Sequence, residues 1–200
     1  VEFSTVAAPE LDALFRKTNG WIGADGAYSI PLTPDKTLWL FSDTWIGTVR
    51  DGKRIEPRMI NNSIAIQEHG RAPQFYYRTN HNGDAASFIT PEDGRGFYWL
   101  FGGTKTRDGI YFMLRQVEIV NPGAVFGFRG FNTSLARIRN PGHDPMKWEV
   151  EQLEFPFSEY KGKDSITFGT AMMKHGRYVY IYGNHSGPEK ERKGIILARV

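Results

Sequence analysis

The sequence predicts an all-β chain, a β-propeller of four-stranded antiparallel blades preceded by a short N-terminal helix, and three observations predict it. Aromatics make up 14% of the 200 residues and stand beside 22 Gly and 11 Pro, the composition of many short strands joined by tight turns. Alternating apolar and polar runs recur in sets of four, the content of one blade. The third run of each set carries a kindred segment: Ser-Ile-Ala-Ile from Ser63, Ser-Leu-Ala-Arg-Ile from Ser134 and Leu-Ala-Arg-Val from Leu197, at spacings of 71 and 62 residues. A two-sheet sandwich also has short alternating strands, but it does not repeat the whole four-strand unit.

In chain order, Pro9 to Lys17 reads as a helix with Leu11, Leu14 and Phe15 on one face and Asn19-Gly20 as its stop, packing under the first hairpin. That hairpin comprises Ala27 to Leu32 and Thr37 to Phe41 about the turn Thr33-Pro34-Asp35-Lys36. A polar connection, Thr48 to Arg58, leads to strands Met59–Gln67 and Gln74–Arg78, so the first blade spans 21–80. The second spans 86–157: Tyr98–Thr104, the turn Arg107-Asp108-Gly109, Ile110–Val120, Phe131–Arg139 and Lys147–Phe155. Val125 to Phe131 is Gly-rich but lacks the Lys-Ser/Thr ending of a phosphate loop, and reads as a blade loop. The third, 164–200, offers Ile166–Met173, the turn His175-Gly176, Arg177–His185 and a closing strand that ends at Val200. Closed propellers need roughly four to eight blades. The expectation is therefore a partial propeller, a fragment of a longer chain whose last strand leaves an open edge.

Composition narrows the function classes. A net charge of +3, with basic and acidic residues interspersed rather than gathered on a stripe, does not favour nucleic acid. No apolar run approaches membrane-spanning length, and the start at Val1 carries no secretory leader. The absence of cysteine removes disulfide and thiol chemistry and fits any compartment. His69, His81, His143 and His175 show no metal-ligand spacing. The reading is of no metal and no cofactor.

The chemistry gathers on the first hairpin. If it is symmetric about Pro34, residues whose numbers sum to 68 face each other: Ile30 meets Leu38, Tyr28 meets Leu40, and Asp25 meets Asp43. Two carboxylates would then lie across a strand pair with Cβ atoms roughly 5 Å apart, an arrangement that is destabilising unless something requires it. The plain alternative is that Asp25 is a turn residue and Asp43 a loop cap. Around the pair the same rim of the propeller gathers Trp21, Tyr28, Thr44, Trp45, Arg58, Asn61 and Asn62, with Arg115 from the second blade and Asn184 and His185 from the third. Acids, amides, an Arg and indole faces suit a sugar, whose hydroxyls need polar partners and whose C–H faces stack on aromatics. Each has a structural alternative. Arg58 and Arg115 can be ion-pair partners, His185 a turn residue, and the Asn61 and Asn132 triplets strand entries. Trp39, mid-strand, reads as core.

Trp21-x-Gly-x-Asp25-Gly-x-Tyr-Ser, Leu-Trp-Leu-Phe-x-Asp43-Thr and Asn61-Asn-Ser-Ile-Ala together resemble the opening of the five-bladed propellers of domain-of-unknown-function family 4185 and its relatives. Part of that group is glycoside hydrolase family 183, the endo-D-arabinanases that cut mycobacterial arabinan. The resemblance is concentrated in residues 21–67. It implies an axial active site, essential aspartates at Asp25 and Asp43, a polysaccharide such as arabinan as substrate, and a secreted or periplasmic bacterial location. Two departures stand out: Ser42 occupies a position where that family has Gly, and Gly102-Gly103-Thr104 stands where an acidic residue is usual. The leading expectation is glycoside hydrolysis, with Asp25 as nucleophile or base, Asp43 as acid, and retention of anomeric configuration. The alternative is a propeller that binds carbohydrate without cleaving it, and a weaker one is a scaffold whose rim binds a protein.

Overall fold

The computed structural model describes residues 4–162, 164–187 and 193–200. Helix α1 (Pro9–Phe15) precedes β1 (Asn19–Ala24), β2 (Tyr28–Thr33), β3 (Lys36–Phe41), β4 (Thr44–Arg50), β5 (Lys53–Ile60), β6 (Ser63–Glu68), β7 (Gln74–Tyr76), β8 (Arg78–Thr79) and β9 (Ala85–Ala86). There follow β10 (Phe97–Lys105), β11 (Ile110–Ile119), β12 (Phe128–Ile138), β13 (Val150–Glu154), β14 (Glu159–Lys161), β15 (Asp164–His175), β16 (Tyr178–Ser186) and β17 (Lys193–Arg199). The chain is all-β but for the helix and one 3-10 turn. Its strands form antiparallel sheets ordered β2-β3-β6-β7, β10-β11-β12-β13 and β14-β15-β16-β17, with a three-stranded sheet β1-β4-β5 and a small pair β8-β9.

The three larger sheets stack side by side in a propeller-like way. Strand β10 is the shared neighbour, packing on β2 and β3 on one side and on β15 on the other. Alternation explains the core between the first two sheets: Leu38 and Leu40 point one way along β3 and meet Ile30, Ile64, Leu100, Phe112 and Leu114, all fully buried. Each such side chain contributes roughly 1.5–3 kcal/mol by leaving water. Phe41 and Trp39 point the other way and join Trp21, Phe75 and Phe15 in a second cluster. Phe15 docks the helix there, its ring 5.1 Å from that of Trp39, as expected of a helix under the hairpin.

Between the second and third sheets the backbones themselves touch. A Cβ on Gly102 would lie 2.9 Å from both Ala171 Cα and Gly169 O, and one on Gly169 2.5 Å from Met113 Cβ. No side chain fits at Gly102 between these two sheets. Ser42 Oγ donates to Leu100 O at 3.1 Å, a tie between the first two sheets that glycine could not make.

Several elements differ from expectation. The helix ends at Phe15 rather than Lys17, and Leu11 is 56% exposed. The supposed polar connection, Thr48 to Arg58, is largely a hairpin of β4 and β5. Its signal was Asp51-Gly52, whose φ angles of +50° and +72° make the two-residue turn that such pairs favour. The single strand Met59–Gln67 is broken at Asn61-Asn62 into the end of β5 and β6. Strand β12 starts at Phe128, within the segment read as a loop, and β14 adds a strand ahead of β15. Residues 188–192 of the third repeat lie outside the described residues.

Candidate functional site

The first hairpin keeps one register while changing sheets. Strands β2 and β3 pair Ile30 with Leu38 and Tyr28 with Leu40; past a break, β1 and β4 pair Ala24 with Thr44 and Gly23 with Trp45. These four pairs each sum to 68; the pair beside the turn, Thr33 with Lys36, sums to 69, and a shift between Pro31 and Thr33 sets the register that carries through to Gly23. The break is the acid pair itself. Asp25 N–H donates to Asp43 O at 3.1 Å, and Ser42 N–H donates to Asp25 O at 3.0 Å. Beyond them the turn half of the hairpin joins β6 and the other half joins β5. Gly26 and Ala27 make the crease with φ of +86° and +46°. A Cβ on Gly26 would stand 3.1 Å from Ser42 N, so glycine is needed for both space and angle.

The two acids have different surroundings. Asp43 Oδ1 accepts the indole N–H of Trp99 at 2.8 Å and the amide of Asn61 at 3.4 Å. Both partners can only donate through those atoms, so they suit a carboxylate. Asp25 is raised above its ordinary value of 3.8, first by partial burial and then by the negative charge of Asp43, against an opposing hydrogen bond from the Asp43 backbone. Its side chain still reaches solvent. Next to it, the Tyr28 hydroxyl is also raised, chiefly by burial; Arg115 opposes that and Asp25 adds to it. Tyr28 thus sits between an acid and a cation.

Arg115 lies opposite Trp99 on the β10–β11 ladder, its guanidinium 4.5 Å from the centre of the Phe101 ring. Both residues open onto a cavity of about 600 Å³ whose far wall is Tyr160, Thr167 and Asn184. The structure therefore brings Asp25, Asp43, Asn61, Tyr28 and Arg115 into one region, with Asn184 across the cavity, its amide donating to Thr170 Oγ1 at 2.9 Å.

The remaining expected contacts have other employment. Trp21 is 7% exposed, stacked on Phe75 at 4.0 Å with its N–H on Ser63 Oγ, and is core rather than a sugar platform. Thr44 is fully buried and bonded to Ser42 O and Ser63 Oγ. Asn62 is also fully buried: its amide donates to Ile89 O and Tyr98 O and its oxygen accepts Ile89 N–H, so no polar atom is left for a ligand. Arg58 pairs with Asp84 at 2.9 Å. His185 Nε2 lies 2.9 Å from Asp164 Oδ1, and Trp45 carries Arg54 over its ring at 5.1 Å.

Trp99 and Tyr160 were missed. Folding the second hairpin from its turn, where Lys105 pairs with Ile110, puts Trp99 opposite Gln116. A bulge between Leu100 and Gly103 shifts the ladder by one, so that Trp99 meets Arg115 instead. Phe-Gly-Gly was the available signal for that bulge. Tyr160, on the short β14, had none. Among the described residues no group of three or more His, Cys, Asp or Glu is placed to hold a metal ion, and no helix is long and apolar enough to cross a membrane.

The family described as domain of unknown function 5005 matches residues 9–200. The chain belongs to it. The earlier resemblance to family 4185 and glycoside hydrolase family 183 is not carried by the comparisons, and DUF5005 is the family shown. No curated protein matches the DUF5005 chain. Among solved structures, a candidate hydrolase from Bacteroides ovatus shares its fold with a TM-score of 0.70 at 19% identity, over 96% of this chain and 51% of that one. A second is described under the glycoside hydrolase family 130 of mannoside phosphorylases, as containing hydrolases that target β-1,2 mannosidic linkages in Candida mannan. It has a TM-score of 0.48 and 13% identity over 88% of this chain and 48% of that one, and carries no argument. The chain spans about half the length of these solved proteins.

Proposed function

We propose that this rim hydrolyses a glycosidic bond of a polysaccharide, with Asp25 and Asp43 as the reacting pair. The observation that carries the reading is their asymmetry. One carboxyl is pushed toward its protonated form by burial and by its neighbour, while the other is held by the N–H groups of Trp99 and Asn61. A carboxyl raised toward its protonated form beside a second one that accepts two N–H donors is what acid-assisted bond cleavage needs. Asp25 gives its proton to the leaving glycosidic oxygen as the C–O bond breaks. Asp43, ionised, either attacks the anomeric carbon or takes a proton from the attacking water. This reverses the division of roles expected from sequence, because burial and repulsion raise Asp25 and the hydrogen-bond donors gather on Asp43.

The name of the Bacteroides ovatus neighbour, a candidate hydrolase, agrees with the reaction class but lends only its fold. Arabinan is the neutral substrate to set against acidic glycans, and a secreted or periplasmic location belongs to the same proposal. The test is release of reducing ends from a panel of furanose and pyranose polysaccharides. Asp25→Asn and Asp43→Asn should each abolish it with the fold preserved; ordinary turnover in either variant removes the assignment. Glycan binding without product from the unaltered protein would point instead to a carbohydrate-binding module. The anomer of the first product separates retention, which needs carboxyls about 5 Å apart, from inversion at about 6.5–9.5 Å.

A further inference from the structure

The cavity beside the acid pair has a charge requirement of its own. Arg115 Nε is buried without a hydrogen-bond partner, and Arg115 belongs to none of the ion pairs found among the described residues. Its guanidinium rests on Phe101, an arrangement that fixes its plane but does not neutralise its charge. The cavity lining contains Arg115, Arg129 and Lys193 and no acidic side chain among the described residues. Arg129 is already engaged by Glu118 at 2.8 Å, whereas the Arg115 guanidinium lies against the Phe101 ring and is joined to no acidic side chain among the described residues. Space in front of it is kept open by Gly130, where a Cβ would come 3.2 Å from Tyr160 and 3.4 Å from Arg115 Cδ. The other polar groups at hand are neutral and suited to hydroxyls: Thr167, Tyr160, whose hydroxyl also bonds Thr133 Oγ1 and Asn132 O, and Asn184, whose amide oxygen accepts while its nitrogen donates to Thr170 Oγ1.

A half-buried guanidinium with no protein anion is costly unless an external anion completes it. Resting on the glycosidase reading above, we propose that the sugar ring lying in this cavity is anionic, and that Arg115 binds its carboxylate or sulfate group while Tyr160, Thr167 and Asn184 take its hydroxyls. Arg115 is then a specificity-determining residue: it selects acidic glycans and sets the ring's position relative to the acid pair, to which the cavity is joined by Trp99.

The experiment is calorimetric titration of the Asp25→Asn protein, in which turnover is blocked, with three kinds of oligosaccharide of matched length: uronic-acid, sulfated and neutral. The expected result is that one anionic class binds at least about tenfold tighter than the neutral one, weakening as salt rises. The uronic and sulfated arms tell carboxylate from sulfate. Arg115→Gln should abolish the preference and Arg115→Lys retain part of it, since lysine keeps the charge but not the planar fork. Equal affinity for neutral and anionic sugars, no binding of any of them, or a preference untouched by Arg115→Gln would overturn the proposal. Reducing ends released from a neutral polysaccharide with no anionic preference would sink the anion site and leave the hydrolysis reading standing. Arg115-dependent binding of anionic sugars by a protein that cleaves none of them would do the reverse.

Discussion

The two ends of the second sheet treat their charges in opposite ways. At the turn end, Asp108 is saturated: Thr106 and Tyr111 donate to its two oxygens at 2.6 and 2.7 Å, and Arg137 adds a contact at 2.8 Å. These bonds pull Asp108 down to about 2. Arg137 and Arg139 share Glu151 in the same network. At the opposite end, on the same β11 ladder, Arg115 shares with Arg137 a buried Nε that has no partner but, unlike Arg137, is paired with no acid among the described residues, and across from it Asp25 is raised rather than lowered. Saturated charges of the first kind hold a turn in place. The second kind are held ready by the fold without being satisfied by it, which is how a site differs from a staple.

The sharpest way to break that contrast is to remove one of the poised acids. Asp43→Asn or Asp25→Asn should lower turnover by about three orders of magnitude or more, the scale of losing a reacting group, while circular dichroism stays unchanged. Trp99→Phe keeps an aromatic ring against Phe128, 5.0 Å away from the indole, and removes the N–H donated to Asp43 with the smaller part of the ring system. It should cost roughly tenfold or more in kcat with little loss of stability. A drop in Tm alone would mean that Trp99 only packs.

The amides next to each other on the break after β5 give a second test. Asn62→Ala removes a buried group with three hydrogen bonds and should destabilise by roughly 1–3 kcal/mol in denaturant titration. Asn61→Ala should leave stability nearly unchanged and affect activity alone. The reverse pattern would mean that Asn61, not Asn62, is the structural amide.

The smallest effects are those of pH. Asp25 is raised in the folded state, so its ionisation opposes folding: the folded form is favoured below 3.8 and that advantage is lost as pH rises through the folded value. Asp25→Asn should therefore raise Tm at neutral pH, and the gain should vanish in acid. Asp108 behaves oppositely. Its contribution is present above 3.8 and is lost as pH falls through about 2, so Asp108→Asn should lower Tm at neutral pH by an amount that shrinks steadily as pH falls from 3.8 through about 2.

What the sequence disclosed follows the same division. The first hairpin has a plain turn and no bulge between Pro34 and the acids except next to the turn itself, so simple arithmetic carried Asp25 to Asp43. The kindred segments are buried alike in only two of the three strands: Ile64 and Ala65 on β6 and Ala136 and Ile138 on β12 are core, whereas Leu197 on β17 is 53% exposed. Trp99 was hidden by one extra residue at Leu100 to Gly103, since a bulge moves every later side chain to the other face. Trp21, Thr44 and Asn62 misled for a different reason. A polar or amphipathic residue near a site is as useful for fastening neighbouring strands as for touching a ligand, and only burial tells the two apart.

The shared ladder of the first hairpin has one more implication. Both carboxyls hang from backbone that is already fixed by cross-strand bonds, not from the variable connections above them. Insertions in the surrounding loops would therefore reshape what reaches the rim without moving the backbone that spaces the two acids.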